Sequence, residues 1–308
     1  MSKTRQSSAP SPSRRAPANA ATDVGKVNSA LYLVATPIGN LADITLRALD
    51  VLAGCDIIAC EDTRVTRKLV ERYGISTPLI PYHEHNAAEA RPKILARLER
   101  KEAVALVSDA GTPLISDPGY KLVRAAQEAG HAVVAIPGAS SVLAALSVAG
   151  LPTDRFFFEG FLPPKQTARQ KRIAALASIP ATLVLFESGP RLADALTDLA
   201  AGLGPRPAAV CRELTKLHEE VRRSDLTVLA HQYSQGAELR GEIAIVVAPP
   251  PETETAVADI DGMLRQALAR VSLKDAVGEV ALASGHSRRE VYQRALALSK
   301  GSDDAAAR

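Results

Sequence analysis

The chain has 308 residues, 46% of them hydrophobic and 23% charged, with a formal net charge of +3. That composition is expected of a soluble globular protein of about two domains. No apolar run approaches the roughly 20 residues that cross a bilayer, which argues against a membrane-spanning protein. Residues 1–29, rich in Ser, Ala and Pro, carry Lys3, Arg5, Arg14, Arg15 and Lys26 against Asp23, a balance of +4, so the rest of the chain stands at −1. This first stretch lacks the apolar centre of a secretory signal and reads as a disordered tail. A near-neutral body confines any polyanion contact to a local patch. Cys55, Cys60 and Cys211 are odd in number and lack metal-ligand spacing, so they read as buried, reduced thiols of a cytoplasmic protein.

Apolar runs at 31–35, 56–60, 103–107 and 132–136 alternate with helix-like segments near 44–52, 63–73, 87–100 and 120–129. That order predicts a parallel sheet flanked by helices. A second set of runs, at 156–160, 182–186, 208–211 and 242–247, is separated by helical patterns at 167–177 and 191–201 and predicts a second α/β unit. The join falls around Gly150-Leu151-Pro152-Thr153, and a cleft between the units is the natural pocket. Beyond Pro249-Pro250-Pro251 the pattern turns to short helices, with Ser272 to Asp275 and Ser287 to Glu290 reading as capping boxes. Arg288, Arg289 and Arg294 of this appendix either touch RNA or form a solvated basic face. Residues 301–308 are expected to fray. The expected domains are thus 30–150, 151–250 and a small helical region within 251–308.

Turn formers, small residues and hydroxyls are concentrated after three of the apolar runs. They are Thr36-Pro37-Ile38-Gly39-Asn40-Leu41, the stretch from Ser108 to Gly119 reading SDAGTPLISDPG, and Ile136-Pro137-Gly138-Ala139-Ser140-Ser141. Ligands bind at the carboxyl edge of α/β sheets, where glycine lets backbone approach a bound molecule and proline stiffens the loop. The dinucleotide GxGxxG, the phosphate-binding GxxxxGK[ST] and the GxSxG nucleophile elbow are all missing. His83-Glu84-His85 lacks the HExxH spacing and has no Cys partners, so no metal site is expected.

Ala35 to Leu41, Cys60-Glu61-Asp62-Thr63-Arg64, the 108–119 loop and IPGASS together resemble the tetrapyrrole-methylase superfamily, whose members use S-adenosyl-L-methionine. His83-Glu84-His85-Asn86, Phe161-Leu162-Pro163 and the run RELTKLHEE from Arg212 to Glu220 narrow the likeness. They resemble the bacterial 16S ribosomal RNA 2′-O-ribose methyltransferases that act on a decoding-region cytidine, over about 31–247. The resemblance implies two α/β sheet domains with the cofactor folded into the cleft between them. It also implies a homodimer, a cytoplasmic location and 16S rRNA within the small ribosomal subunit as substrate. Carried over by position, cofactor contacts fall on Pro37, on Asp109, Ala110, Gly111, Thr112 and Ile115, on Ser140 and Ser141, and on Phe186, Leu214 and Gly241. Backbone amides and hydroxyls at loop-to-helix junctions suit a carboxylate, and Ile115 and Phe186 suit an adenine face. In Glu187-Ser188-Gly189-Pro190-Arg191 the family commonly has His where Pro190 stands, so no imidazole is essential there. Arg191 either meets a phosphate or lies along its own helix.

Methyl transfer from a sulfonium to a ribose hydroxyl is a direct displacement that chiefly requires alignment, with a base helping as the proton leaves. It needs no metal and no covalent nucleophile. Glu61, Asp62 and His83 are the candidate bases; alternatively Glu61 and Asp62 cap the helix at Thr63, with Arg64 as ion partner. Lys165, Arg169, Lys171 and Arg172 stand without a carboxylate between Leu162 and Ile173 and read as an RNA-backbone grip, or as a solvated helix face. Lys216, Arg222, Arg223 and Arg240 extend the patch, offset by Glu219 and Glu220. Two rival functions remain: a tetrapyrrole C-methyltransferase, which calls for basic residues inside the cleft, and a non-catalytic RNA-binding assembly factor.

Overall fold

A computed structural model of the chain describes residues 25–306 except 236–238, 240, 252, 253 and 285. The tail expected over 1–29 lies outside the described residues up to position 24, and so does Arg240 of the basic patch. Contacts divide the chain into two units, the first running to Ala145 and including Glu213–Glu220, the second taking Leu146–Arg212 and everything from Val221. The division falls inside a helix rather than at Gly150, and the excursion at Glu213–Glu220 has no sequence signal.

The first unit holds a five-stranded sheet of β1 (Leu31–Val34), β2 (Ile57–Cys60), β3 (Leu79–Pro81), β4 (Val104–Val107) and β5 (Val133–Ile136), in the order β3-β2-β4-β1-β5. Every pairing is parallel. Parallel strands are covered on both faces, which is why these segments read as unbroken apolar runs. On one face, α1 (Leu46–Gly54) and α2 (Thr63–Arg72) press Val51, Leu52, Leu69 and Val70 onto Val34, Ile58, Ala105 and Val107. On the other, α3 (Ala87–Glu99) and α4 (Tyr120–Glu128) press Ile94, Leu98, Leu122 and Ala126 onto Leu31, Ile57, Val104 and Leu106. All five carboxyl ends share one edge. The connections leaving the adjacent strands β2 and β4 run to opposite sides of the sheet, the topology that opens a crevice for a ligand. Strand β3 and α5 (Ser141–Ala149) were not evident in the sequence: β3 is three residues long, and α5 is apolar nearly all round.

The second unit is a mixed sheet of β6 (Phe156–Phe161), β7 (Thr182–Ser188), β8 (Pro207–Arg212), β9 (Glu220–Asp225) and β10 (Glu242–Val247), ordered β6-β7-β10-β8-β9. Strands β6 and β7 are parallel, while β10 runs antiparallel to β7 and β8. Helices α6 (Gln166–Leu176), α7 (Leu192–Leu203) and α8 (Leu226–Ser234) cover one face, burying Ile173, Leu196, Leu199 and Leu229 against Leu183, Leu185, Ile243 and Ile245. A bulge at Glu159 and Gly160 shifts the β6 register. Strand β9 reads EVRRSD, too polar to stand out as a strand.

The last helices are α9 (Glu254–Leu268), α10 (Leu273–Ser284) and α11 (Arg288–Ala306), packed around Ile260, Leu264, Val277, Val280, Val291 and Ala295. The expected capping box at Ser287 forms in full, Ser287 Oγ accepting from Glu290 N at 3.3 Å while Ser287 N donates back to Glu290 at 3.0 Å; at Ser272 only one half forms, Ser272 Oγ accepting from Asp275 N at 3.3 Å. Helix α11 continues past Gly301, where fraying was expected. Among the described residues no helix is long and apolar enough to cross a membrane. The three cysteines are buried and form no disulfide. Burial pushes the Cys55 thiol up to about 12, so it is inert as a nucleophile.

Candidate active site

The three loops singled out by sequence are bonded to one another at the carboxyl edge of the first sheet. Thr36 and Gly111 exchange backbone hydrogen bonds of 2.9 and 3.0 Å, and Thr36 Oγ1 donates to Ser108 O at 3.1 Å. Thr112 Oγ1 donates to Ala139 O at 3.2 Å, which ties the second loop to the third. Gly111 sits at φ +78, and a Cβ there would lie 3.4 Å from Ile38 and 3.8 Å from the Ala139 carbonyl. Its need for glycine therefore comes from backbone conformation and the junction of three loops. Leu114 and Ser116 also adopt positive φ, 74° and 63°, so the 108–119 loop holds a strained path that its neighbours over-determine.

Carboxylates crowd the crevice between β2 and β4. Asp109 Oδ1 accepts from Asp62 N at 2.9 Å, coupling the two loops. Burial, then repulsion from Asp117, Asp109 and Asp62, raises the Glu61 carboxyl above its ordinary range. Burial likewise raises Asp109, against the Asp62 amide, and Asp117, against a bond from Ser108. Among the described residues no hydrogen bond or ion pair engages the Glu61 carboxylate. A half-buried, partnerless carboxylate with a raised pKa is suited to accept a proton.

Asp62 has a different role. It caps α2, accepting from Arg64 N at 2.8 Å, and its two oxygens take Arg64 Nε and Nη2 at 3.1 and 2.7 Å. Those bonds hold its carboxyl down at about 2, far from a base that works near neutrality. The capping alternative holds for Asp62 and does not hold for Glu61. His83 follows β3, whose Pro81 pairs with Cys60, so it leaves the sheet beside the 61–62 loop. Its backbone N donates to Asn86 Oδ1 at 2.8 Å, and its Nδ1 is buried without a partner.

Of the expected cofactor residues, the first unit brings Pro37, Asp109, Ala110, Gly111, Thr112, Ile115, Ser140 and Ser141 to this one edge. Ala110, Thr112 and Ile115 are exposed there, whereas Pro37 is buried. Ser140 Oγ accepts from Leu143 N at 3.4 Å at the start of α5. Buried Leu214 lies in the Glu213–Glu220 segment, a tight turn with Glu213 and Thr215 at positive φ and Thr215 N bonded to Glu219 at 2.6 Å. A Cβ on Gly39 would collide with the Lys216 side chain, which covers the first loop.

Phe186 and Gly241 belong to the second unit. Phe186 meets Phe158 and Phe161 edge to face, with centroids 4.9 and 5.7 Å apart. The β6 bulge brings Phe158 and Phe161, three positions apart, onto one face with it, an effect invisible in strict strand periodicity. Gly241, exposed at φ 105, precedes β10, whose Glu242 pairs with Ser188.

Most cations of the expected basic grip are engaged within the protein. Arg169 is buried, donates to Asp198 at 2.6 Å and to Pro164 O at 3.3 Å, and presents no charge to solvent. Arg172 forks onto Glu159 at 2.5 and 2.6 Å. Arg191 donates to Leu162 O at 2.7 Å and lies 3.2 Å from buried Glu187, so it is engaged by neighbouring elements rather than laid along its own helix. Lys216 pairs with Glu213 at 2.9 Å. Arg223 bonds the carbonyl of Val148, and Arg222 stacks on Tyr233 at 5.4 Å. Only Lys165 and Lys171 of the original cluster remain exposed with no ion pair among the described residues. Also among the described residues, no group of His, Cys, Asp and Glu is arranged to hold a metal ion.

Residues 30–230 match the family model of tetrapyrrole (corrin/porphyrin) methylases. The chain belongs to the tetrapyrrole methylase family. This methylase is 52% identical over 270 residues to the ribosomal RNA small subunit methyltransferase I of Mesorhizobium japonicum, covering 87% of this chain and 92% of that one. It is 51% identical over 268 residues to the protein of the same name from Erythrobacter litoralis, covering 87% and 95%. Residues 254–299 match the model of the RsmI C-terminal HTH domain. Among solved structures, uroporphyrin-III C-methyltransferase from Thermus thermophilus shares the fold with a TM-score of 0.51 at 22% identity, covering 71% of this chain and 94% of that one. The methylase is an S-adenosyl-L-methionine-dependent methyltransferase, as its family is.

Proposed function

We propose that the chain methylates the ribose 2′-hydroxyl of a decoding-region cytidine in 16S rRNA, acting on the small ribosomal subunit as a cytoplasmic homodimer. The observation that carries this reading is the identity above one half to two proteins named for the small-subunit rRNA, spanning the sheets and the carboxyl-terminal helices together.

In this reading Asp109, Ala110, Gly111, Thr112, Ile115, Ser140 and Ser141 hold the cofactor, with Pro37 and Leu214 supporting the loops from beneath. The bonded junction of three loops, with exposed small residues and hydroxyls at its rim, fits such a ligand. When bound, S-adenosyl-L-methionine supplies an electrophilic methyl group. The protein's own contribution is alignment of the ribose oxygen and removal of its proton. Glu61 accepts that proton: burial first, then repulsion from Asp117 and Asp109, raises its basicity, and no other side chain among the described residues occupies its oxygens.

The test is transfer of labelled methyl to small subunits from cells lacking this modification, with uroporphyrinogen in parallel. Label in one cytidine, in a dinucleotide resistant to alkali because its 2′-oxygen is blocked, is the expected result. Label in uroporphyrinogen alone, or in an rRNA base, overturns the reading.

A further inference from the structure

We propose that the amino-terminal half of α11 is a second rRNA-binding surface, gripping phosphates through Arg288 and Arg289 and packing an unpaired base on Tyr292. The proposal rests on the rRNA reading above and concerns residues outside the candidate active site.

The three carboxyl-terminal helices decide which side of α11 is available. Val291 and Ala295 point into the core they share, with Leu298 packed against it. The positions left outward are Arg289, Tyr292, Gln293 and Leu296, spaced at three, four and seven residues, so they form one stripe. Arg288 and Arg289 are exposed, and Tyr292 is 46% exposed, a large aromatic left in water.

Charge distinguishes these arginines from their neighbours. Arg294 is locked to Asp261 at 2.7 Å and Arg270 to Glu279 at 3.1 Å. No ion pair among the described residues engages Arg288 or Arg289. Glu290, the carboxylate in the first turn, bends back to Ser287 in the capping box. Arg288 Nη2 lies 4.0 Å from where a Cβ of Gly278 would stand, which places it against α10, where Lys274 sits one turn earlier on the same face. Exposed cations thus stand on both helices, and Tyr292 follows Arg288 by one turn on the same side of α11.

Helices α10 and α11 are joined by three residues, 285–287, the connection length of a helix-turn-helix. In that motif the first turns of the second helix meet nucleic acid. A-form RNA has a major groove too deep and narrow for side chains to read, so this face should take phosphates and an unstacked base. The cation and ring pattern suits that partner.

The experiment compares full-length wild type with Arg288→Glu/Arg289→Glu and with Tyr292→Ala. Glutamate at a helix amino terminus favours the helix, and the Arg294–Asp261 pair is left intact, so both variants fold. Methyl transfer to unmodified small subunits and filter binding to protein-free 16S rRNA are measured across a salt series. We expect the double variant to raise KM about 10-fold and flatten the log–log salt slope by about 2, with kcat and cofactor affinity unchanged. Tyr292→Ala should raise KM about 5-fold with the slope unchanged. Wild-type KM and slope in the double variant overturn the proposal. So does weakened binding to subunits with unaltered affinity for protein-free rRNA, which assigns the face to a ribosomal protein. The filter-binding arm requires no catalysis, so failure of the ribose-methylation reading shows in the wild-type transfer assay alone.

Discussion

The two sheets deliver their chemistry in opposite ways. The first is wholly parallel, so its loops leave from one edge, and segments far apart in sequence (36–41, 61–62, 108–119 and 137–141) meet there. Each loop motif could be read locally because topology alone gathers them. The second sheet is mixed, with helices on one face, and several cations of that unit are paired with carboxylates of neighbouring elements. Arg169 of α6 finds Asp198 of α7, and Arg172 of α6 finds Glu159 of β6. Loop motifs in a parallel sheet survive as sites, whereas a charge run on a covering helix can be consumed by packing.

The largest expected effect breaks that packing. Removing one partner of a buried ion pair leaves a bare charge, so Asp198→Ala should destabilise the second unit by about 3–5 kcal/mol in chemical denaturation. Burial pushes the Asp198 carboxyl up, but bonds from Gln170 and Arg169 outweigh it and leave the pKa lowered. Its contribution is therefore present above the ordinary Asp value and lost as pH falls through the depressed one. Arg169→Met/Asp198→Leu should restore stability and abolish that acid dependence while leaving KM for rRNA unchanged. A raised KM in a stable double variant would return Arg169 to the rRNA surface.

Next comes the first sheet's edge. Glu61→Gln should lower kcat about 100-fold with cofactor affinity retained. The acid limb of the wild-type kcat profile should lie above the ordinary Glu range, following the raised pKa. A carboxyl whose pKa is raised on folding contributes stability below its unfolded value and loses it as pH rises through the folded one. At neutral pH the charged Glu61 therefore opposes folding, and the glutamine variant should melt higher. An unaltered kcat would remove Glu61 from the chemistry. Smaller again is Gly111→Ala, which should cost about 1–2 kcal/mol for placing a side chain at positive φ. Calorimetric titration should also show weaker cofactor binding; unchanged affinity would detach that loop from the ligand.

Much of the fold was legible because parallel strands buried on both faces announce themselves as apolar runs; Ile57–Cys60 and Val104–Val107 are buried throughout. Strand β9 was hidden by its polar sequence, and α5 by the lack of a polar face. At the site, the loops were legible and the individual roles were not. Glu61 and Asp62 are adjacent and chemically alike, yet Asp62 is a cap bonded to Arg64 while the Glu61 carboxylate has no hydrogen-bond or ion-pair partner among the described residues. That difference depends on which carboxyl faces α2 and which faces Asp109 and Asp117, and spacing carries no record of it. The same holds for Phe158 and Phe161, which share a face only because a bulge shifts the register.

The finest comparison lies within α6, where neighbouring cations have different fates. Lys165 and Lys171 are exposed and unpaired among the described residues, while Arg172 is neutralised by a carboxylate only 8% exposed. If the helix still meets rRNA, the lysines alone provide the contact. Lys165→Glu/Lys171→Glu should raise KM about 5-fold and flatten the salt slope by up to about 2, because each cation displaces counterions from one phosphate. Arg172→Gln should leave the slope as it was, since its charge is already matched, and should instead loosen α6 against β6, lowering the melting temperature. If Arg172→Gln flattens the slope as much as the lysine pair does, the Glu159 pair opens on binding and all three cations share the phosphate contacts. If none of the three variants changes it, α6 only covers the sheet.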